Sequence, residues 1–382
     1  MDASVLLSLC EQAGIDFYTG VPDSFLKGLC NELYARYGTR GKRHIVAHNE
    51  GGAIGLCAGH YLATGRPALC YMQNSGLGNA VNPLASLMDG EVYGIPCLLV
   101  IGWRGEPGTK DEPQHVTQGR ITLGQLELLG IPYRILNPED GPEESREKFT
   151  ALCAKLAQGK VTALVIRKGA LTTAQRPSYE NDRKMIREEA ARLILEEAGE
   201  RDLFICTTGK LSREVFELRE ARGEGHERDF LTVGSMGHAS MIALQIAQEK
   251  PDRRVWCLDG DGAAMMHLGA MPLIGEKRPE NLVHVVINNG AHETVGGMPV
   301  CSGELNLTGL ARSAGYAASV AADDPQTLRA VLQKVQNLRG PVLVEIRCAI
   351  GARADLGRPT TTPQQNRDAL MAFLRDGAEA DR

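Results

Sequence analysis

Apolar runs of four to six residues alternate along the whole chain with longer stretches of mixed polarity. Residues 15–19, 44–47, 68–72, 97–101 and 163–166 read as strands in the first half, and 203–206, 255–258, 283–287 and 342–346 in the second. These runs are continuous, not alternating, as expected of strands buried on both faces of a parallel sheet. With helical stretches between them, they predict an α/β fold. A polar segment at 169–184, containing Pro177, has no periodicity and reads as a linker. The expected organisation is an α/β domain over 1–170, a linker over 171–185, a second α/β domain over 186–350 and a tail over 351–382.

The halves repeat one another. A small-residue helix is predicted from Glu50 to Thr64, followed by Gly65-Arg66-Pro67, a strand, a Gly/Asn-rich turn at 73–79, a helix and the strand at Cys97. A second small-residue helix is predicted over 236–248, followed by Lys250-Pro251-Asp252, a strand, the turn 259–262, a helix and the strand at Val283. The strand-to-strand spacing is 29 residues in one half and 28 in the other. Two spacings that agree this closely point to a duplicated α/β unit, which presents its functional loops at the carboxyl ends of the strands.

Composition narrows the function classes. The net charge of −5 argues against nucleic acid as a partner. The ten cysteines include no C-x-x-C pair and several sit inside apolar runs, so they read as small core residues in a reducing compartment. No apolar run approaches the ~18 residues of a membrane span and no basic leader precedes an apolar stretch, so a cytoplasmic protein is expected. Forty-three glycines without low-complexity repeats suggest many tight strand-to-helix turns, the places where α/β proteins meet phosphorylated ligands.

One such turn carries recognisable chemistry. The strand at 255–258 runs into Asp259-Gly260-Asp261-Gly262, and Asn288-Asn289 ends a later strand 25 residues after Gly262. Gly260 and Gly262 allow close backbone approach, and Gly262-Ala263 is expected to open a helix whose amides face a phosphate. Asp261 supplies a hard carboxylate, Asn289 an amide oxygen, and Ala291 by position a backbone carbonyl. Such a set leaves room for phosphate oxygens and water, as Mg²⁺ requires. A tight turn with a capping Asp and an unrelated Asn pair is the plainer alternative.

Gly-Asp-Gly followed at this distance by Asn-Asn resembles the cofactor site of thiamine diphosphate enzymes. The resemblance implies two parallel-sheet domains, pyrimidine-type and then diphosphate-type. It also implies thiamine diphosphate and Mg²⁺ as cofactors, with Asp261, Asn289 and Ala291 as metal ligands. In that family a glutamate shares a proton with the pyrimidine ring, and Glu50 at the start of the first repeated helix occupies its place. The resemblance also places Gly234, Ser235 and Met236 against the cofactor, with Met236 as an apolar prop or simply a core residue, and Thr208 and Gly209 against the diphosphate together with Gly260, Gly262 and Ala263. It further implies a homo-oligomer, at least a dimer, with the cofactor between chains.

Length narrows the choice, because 382 residues leave no room for the central third domain of larger 2-oxo acid decarboxylases. The runs Gly20-Val21-Pro22-Asp23-Ser24-Phe25-Leu26-Lys27, Tyr71-Met72-Gln73-Asn74-Ser75-Gly76-Leu77-Gly78-Asn79, Trp103-Arg104-Gly105-Glu106-Pro107-Gly108, Asp111-Glu112-Pro113-Gln114-His115 and Asp355-Leu356-Gly357-Arg358-Pro359-Thr360 resemble the phosphonopyruvate decarboxylase family, to which sulfopyruvate decarboxylases are related. The implied reaction is decarboxylation of 3-phosphonopyruvate to phosphonoacetaldehyde and CO₂, as in phosphonate biosynthesis. Sulfopyruvate decarboxylation, a carboligase and a silent relative stand as alternatives. Asp23 and His115 are the candidate proton-handling residues; Asp23 also suits an N-cap, and His115 reads as a loop residue. Ser24, Gln73, Asn74, Ser75, Arg104 and Lys110 are candidates for the substrate's second anionic group. The tail over 351–382 is either a lid or a docking strap.

Overall fold

The computed structural model describes residues 1–379, which divide into two compact units, Met1–Ser178 with Thr294–Pro299, and Tyr179–Glu293 with the described residues from Val300 onward. In the first, strands β1 (Tyr18–Gly20), β2 (His44–Val46), β3 (Ala68–Gln73), β4 (Cys97–Gly102), β5 (Tyr133–Leu136) and β6 (Thr162–Ile166) form a sheet in the order β2-β1-β3-β4-β6-β5. All its pairings are parallel, with Tyr18 opposite Leu69, Ala68 opposite Cys97 and Leu98 opposite Thr162. In the second, β7 (Leu203–Cys206), β8 (Asp229–Leu231), β9 (Val255–Gly260), β10 (Leu282–Asn288), β11 (Ala318–Ala322) and β12 (Val342–Arg347) form a parallel sheet in the order β11-β12-β10-β9-β7-β8. Counted within each unit and read from the appropriate edge, both sheets have the order 2-1-3-4-6-5. The duplication expected from strand spacing is thus one topology used twice.

Both faces of each sheet are dry. Leu69, Tyr71, Leu98, Val100, Leu164 and Ile166 pack under Leu6, Leu7, Phe149 and Leu152. The intervening Cys70, Met72, Leu99, Ile101, Ala163 and Val165 pack on the other side with Ile54, Leu77 and Leu126. Period-two alternation within an all-apolar run therefore supplies two cores from one strand. The second sheet does the same. Phe204, Trp256, Val285 and Val344 face Leu193, Ile194 and Leu332, whereas Leu203, Val255, Val286 and Leu343 face Ala243 and Leu244.

Three strands lacked the apolar signature: β5, β8 and β11. Each is the outermost strand at an edge of its sheet, and β5 and β11 are largely half-buried, so their sequences carry polar residues. The first repeated helix runs over Glu50–Thr64 as expected; Asn49 caps it by accepting from the Gly52 amide at 2.7 Å, and left-handed Gly65 ends it. The second repeated helix spans Ala239–Glu249, starting three residues later than its pattern suggested. Gly234, Ser235 and Gly237 have φ of 73°, 47° and 84°, a left-handed stretch that no α-helix includes.

Between Ile166 and Arg187 the chain forms no helix, and its stretches are tied to different units. Thr172 O accepts from Ala3 N at 2.7 Å, while the Asn181 amide donates to Asn289 O and Cys348 O, both at 3.0 Å. The tail is irregular to Thr362 and then forms the helix Pro363–Glu379. Arg213 donates to the carbonyls of Leu356 and Gly357. Asn366 accepts from Leu231 N at 3.0 Å and donates to Asp229 O at 2.8 Å, which docks the helix on β8. No helix among the described residues is long and apolar enough to cross a membrane.

Asn366→Ala would leave a buried backbone N–H and C=O of β8 without partners, a loss of about 1–3 kcal/mol. The urea midpoint is expected to fall accordingly; an unchanged midpoint would mean that the tail does not stabilise this edge.

Candidate functional site

The carboxyl ends of β1, β3 and β4 gather the candidate groups of the first unit. Glu50 enters at the first position of its helix and is 5% exposed. Asn79 donates to its Oε2 at 2.8 Å, and its Oε1 lies so close over Gly76 that any Cβ there would collide with it. The glycine in the 3₁₀ turn Asn74–Gly76 is what leaves space for the carboxylate.

Asp23 follows β1 and is fully buried. Its Oδ2 accepts from Phe25 N at 2.9 Å, so the capping role is realised, and its Oδ1 accepts from Gln73 Nε2 at 2.6 Å. Ser75 Oγ in turn donates to Gln73 Oε1 at 2.7 Å. Burial pushes the Asp23 carboxyl above its ordinary value, against the lowering effect of these bonds and of Arg104. A Cβ at Gly102 would strike Asp23 Oδ2, so that glycine too is required by a close approach.

Asp111, which the motif reading passed over, organises a second cluster. It accepts from Arg104 Nε at 2.8 Å and Nη2 at 2.5 Å, from His115 Nδ1 at 2.9 Å, and from the Gly105 and Glu112 amides at 2.8 Å each. Burial acts against ionisation, yet the bonds from Arg104, His115 and the backbone hold the Asp111 carboxyl well below the usual carboxylate range. Arg104 also donates to Ser24 Oγ at 2.9 Å through Nη1 and lies 4.9 Å over the Phe25 ring. Three of its five N–H donors are thereby committed and two are left for a ligand. His115 is not a loop residue. It lies in the first turn of the helix Pro113–Leu128, where Pro113 presets the entry, and is 6% exposed. Its Nδ1 faces Asp111, so Nε2 is the ring nitrogen turned away from that carboxylate.

Two substrate candidates are placed differently from Ser24, Gln73 and Ser75. Asn74 is fully buried and spends its amide on Arg104 O and Thr122 Oγ1, both at 2.8 Å, while its Oδ1 accepts from Arg104 N at 3.1 Å. It positions the Arg104 loop and does not present itself to a ligand. Lys110 lies exposed before Asp111 and is not hydrogen-bonded into the cluster.

In the second unit Asp261 opens the short helix Asp261–Met266, one residue before the expected start, so Gly262 and Ala263 lie within it. Its Oδ2 accepts from Gly290 N at 2.9 Å and Ser302 Oγ at 2.5 Å. Burial pushes its carboxyl up to about 6, against those hydrogen bonds. Asn289, one residue past β10, accepts from Ala291 N at 3.0 Å and donates to Glu293 Oε2 at 2.8 Å. Glu293 also pairs with Arg187 and Lys210, both at 2.9 Å, and Arg187 is held by Glu214 at 2.6 Å. Sequence spacing gave no sign of Glu293, Lys210, Arg187, Glu214 or Ser302, because they converge from separate elements.

The residues present fit a magnesium diphosphate. Asp261 and Asn289 offer oxygen donors of the hard type that Mg²⁺ takes. Gly260 ends β9 beside Thr207, whose buried hydroxyl has no hydrogen-bond partner among the described residues. Thr208 Oγ1 accepts from Gly234 N at 3.0 Å, which ties the 207–209 turn to the left-handed segment. Gly209, at φ 108°, precedes the helix Lys210–Ala221. Met236 Cε lies 3.4 Å from where a Cβ on Gly262 would stand, so this methionine bears on the metal turn.

Comparison with known proteins agrees with this arrangement. The thiamine pyrophosphate enzyme N-terminal TPP binding domain matches residues 3–127, and the corresponding C-terminal TPP binding domain matches residues 207–346. A phosphonopyruvate decarboxylase from Streptomyces viridochromogenes is 34% identical over 379 residues, 94% of this chain and 92% of its own. One from Streptomyces hygroscopicus is 32% identical over 383 residues, 96% and 92% of the two chains. A sulfopyruvate decarboxylase from Methanosarcina acetivorans is 26% identical over 317 residues, 78% of each chain. The chain belongs to the thiamine pyrophosphate enzymes and, within them, to the phosphonopyruvate decarboxylase family.

Proposed function

We propose that this protein is a thiamine diphosphate- and Mg²⁺-dependent carboxy-lyase that converts 3-phosphonopyruvate to phosphonoacetaldehyde and CO₂. The observation that carries the reading is likeness to phosphonopyruvate decarboxylases over nearly the full chain, with Glu50, Asp261 and Asn289 all in place.

When bound, thiamine diphosphate supplies the electron sink for the pair left behind as CO₂ departs. The rest falls to the chain. Glu50, pinned by Asn79, would share a proton with the pyrimidine ring. Asp261, Asn289 and the Ala291 carbonyl would hold Mg²⁺, and the 207–209 turn with Gly234, Ser235, Gly260, Gly262 and Ala263 would hold the diphosphate. Arg104 turns its two uncommitted N–H groups to the phosphonate, with Ser24 beside it. Asp23, whose carboxyl burial pushes up and Gln73 fixes with Ser75 behind it, delivers a proton to the carbon that loses CO₂. His115, oriented by Asp111, accepts a proton at Nε2. The enzyme works as a homo-oligomer of at least two chains with the cofactor between them. Sulfopyruvate decarboxylation is the second reading, favoured by the archaeal relative. A phosphonate reaches a second negative charge near neutral pH and a sulfonate does not, so the two substrates ask different charge of the Arg104 cluster.

CO₂ release from phosphonopyruvate, sulfopyruvate and pyruvate, with and without thiamine diphosphate and Mg²⁺, tests this. Cofactor-dependent turnover selective for phosphonopyruvate is expected. Selective turnover of sulfopyruvate would overturn the substrate assignment, and inertness towards all three would overturn the lyase.

Asp23→Asn is expected to lower kcat by about 10²–10⁴-fold while leaving cofactor binding intact. The raised carboxyl holds its proton to higher pH than an ordinary aspartate, so wild-type turnover should fall as pH rises through that value. Residual turnover in the variant should lack this decline; a variant with the wild-type profile would remove Asp23 from proton transfer.

A further inference from the structure

Beneath the metal turn, within the apolar layer of the second unit, three side chains with metal-ligand atoms converge. Cys257 and Asp259 lie two residues apart on β9 and so share a face, and His284 on β10 stands directly opposite Cys257. The thiol sulfur, a carboxylate oxygen and an imidazole nitrogen all lie within 4.8 Å of one another. Exposure is 0% for Cys257 and Asp259 and 1% for His284, among Leu282, Val286, Ile274 and Ala243.

Two of these atoms meet only each other. Asp259 Oδ2 and His284 Nε2 have no hydrogen-bond partner among the described residues and face one another at 3.5 Å. A contact that long returns to a buried donor and acceptor little of the hydrogen bonding they give up on leaving water. The opposite end of each group is held in place: Asp259 Oδ1 accepts from Gly260 N at 2.9 Å, and His284 Nδ1 bonds the Tyr316 hydroxyl at 2.9 Å. A metal-bound histidine is held in the same way, its far nitrogen bonded to a neighbour so that the other is aimed at the ion.

We propose that Cys257, Asp259 and His284 bind a zinc ion, a site separate from the Mg²⁺ position at Asp261 and Asn289. Sulfur, nitrogen and a single carboxylate form a donor set suited to Zn²⁺ and poorly suited to Mg²⁺. Metal–ligand bonds of about 2.0–2.3 Å would draw the three atoms from within 4.8 Å to roughly 3.5 Å of one another. Binding replaces the thiol proton, which is released to solvent, so Zn²⁺ with one thiolate, one carboxylate and a neutral imidazole has no net charge. A neutral complex is the form that an apolar layer accepts. The ion is structural: it clamps β9 to β10, the two strands whose ends carry Gly260-Asp261 and Asn288-Asn289.

The test is the metal content of the full-length protein, purified with thiamine diphosphate and Mg²⁺ and dialysed without chelator. Elemental analysis is expected to find close to one zinc per chain, falling several-fold or more in Cys257→Ser and His284→Gln. Protein produced with Co²⁺ should show a near-ultraviolet thiolate-to-cobalt absorption that Cys257→Ser lacks. Wild-type protein without zinc and without the cobalt band would overturn the site even if neither variant folds. Zinc or the band retained in folded Cys257→Ser would also overturn it, since the metal would then lie elsewhere.

Discussion

A carboxylate removed from water must find replacement donors, and the candidate chemistry depends on three carboxylates placed in that position. Glu50, Asp23 and Asp261 are all buried within a few residues of the carboxyl end of a parallel strand. The donors differ in each case. Glu50 has the Asn79 amide, Asp23 has Phe25 N and Gln73, and Asp261 has Gly290 N and Ser302. Donation stops short of restoring the ordinary acidity of Asp23 and Asp261, whose carboxyls burial pushes up. At Asp23 the shift favours holding a proton longer as pH rises, whereas a cation at Asp261 would take the place of a proton.

The same constraint explains why one topology serves both halves. A parallel sheet covered on both faces turns every strand end towards one edge, where backbone amides and short polar turns are the available substitutes for solvent. The first half bends this arrangement towards proton handling, and Asp111 holds the guanidinium and the imidazole with a single carboxylate. Its ionised form is favoured by the cation it fixes, so Arg104 and His115 are oriented together. The second half spends its charges on Glu293, which burial pushes up but Arg187 and Lys210 hold below the usual carboxylate range while it orients Asn289.

What could be read from the sequence follows the same physics. Interior strands such as β3, β4 and β10 are legible because burial on both faces demands uninterrupted apolar residues. The edge strands β5, β8 and β11 are not, since one neighbour is solvent or a helix and polar residues are tolerated. Asp261 and Asn289 were singled out by their spacing at strand ends, and Glu50 by resemblance at the start of the first repeated helix. Asp111 was quoted only as part of a motif, and its role depends on a loop returning to Arg104, which no local pattern records. The direction of the Asn74 side chain was hidden for a related reason: it faces Thr122 and the Arg104 backbone, which tertiary packing decides. Cys257 reads as a core residue in sequence, and only the register of β9 against β10 brings His284 to it.

If the buried Glu50 carboxylate is the group that activates the cofactor, its effect is visible without any substrate. Deuterium exchange at the C2 position of bound thiamine diphosphate, compared in wild-type protein and Glu50→Gln at equal cofactor occupancy, isolates that step. Slowing of exchange by about 10²-fold or more is the expected result. Equal rates in the two proteins would contradict the role assigned to Glu50 and, with it, the reading of the first unit as the pyrimidine half.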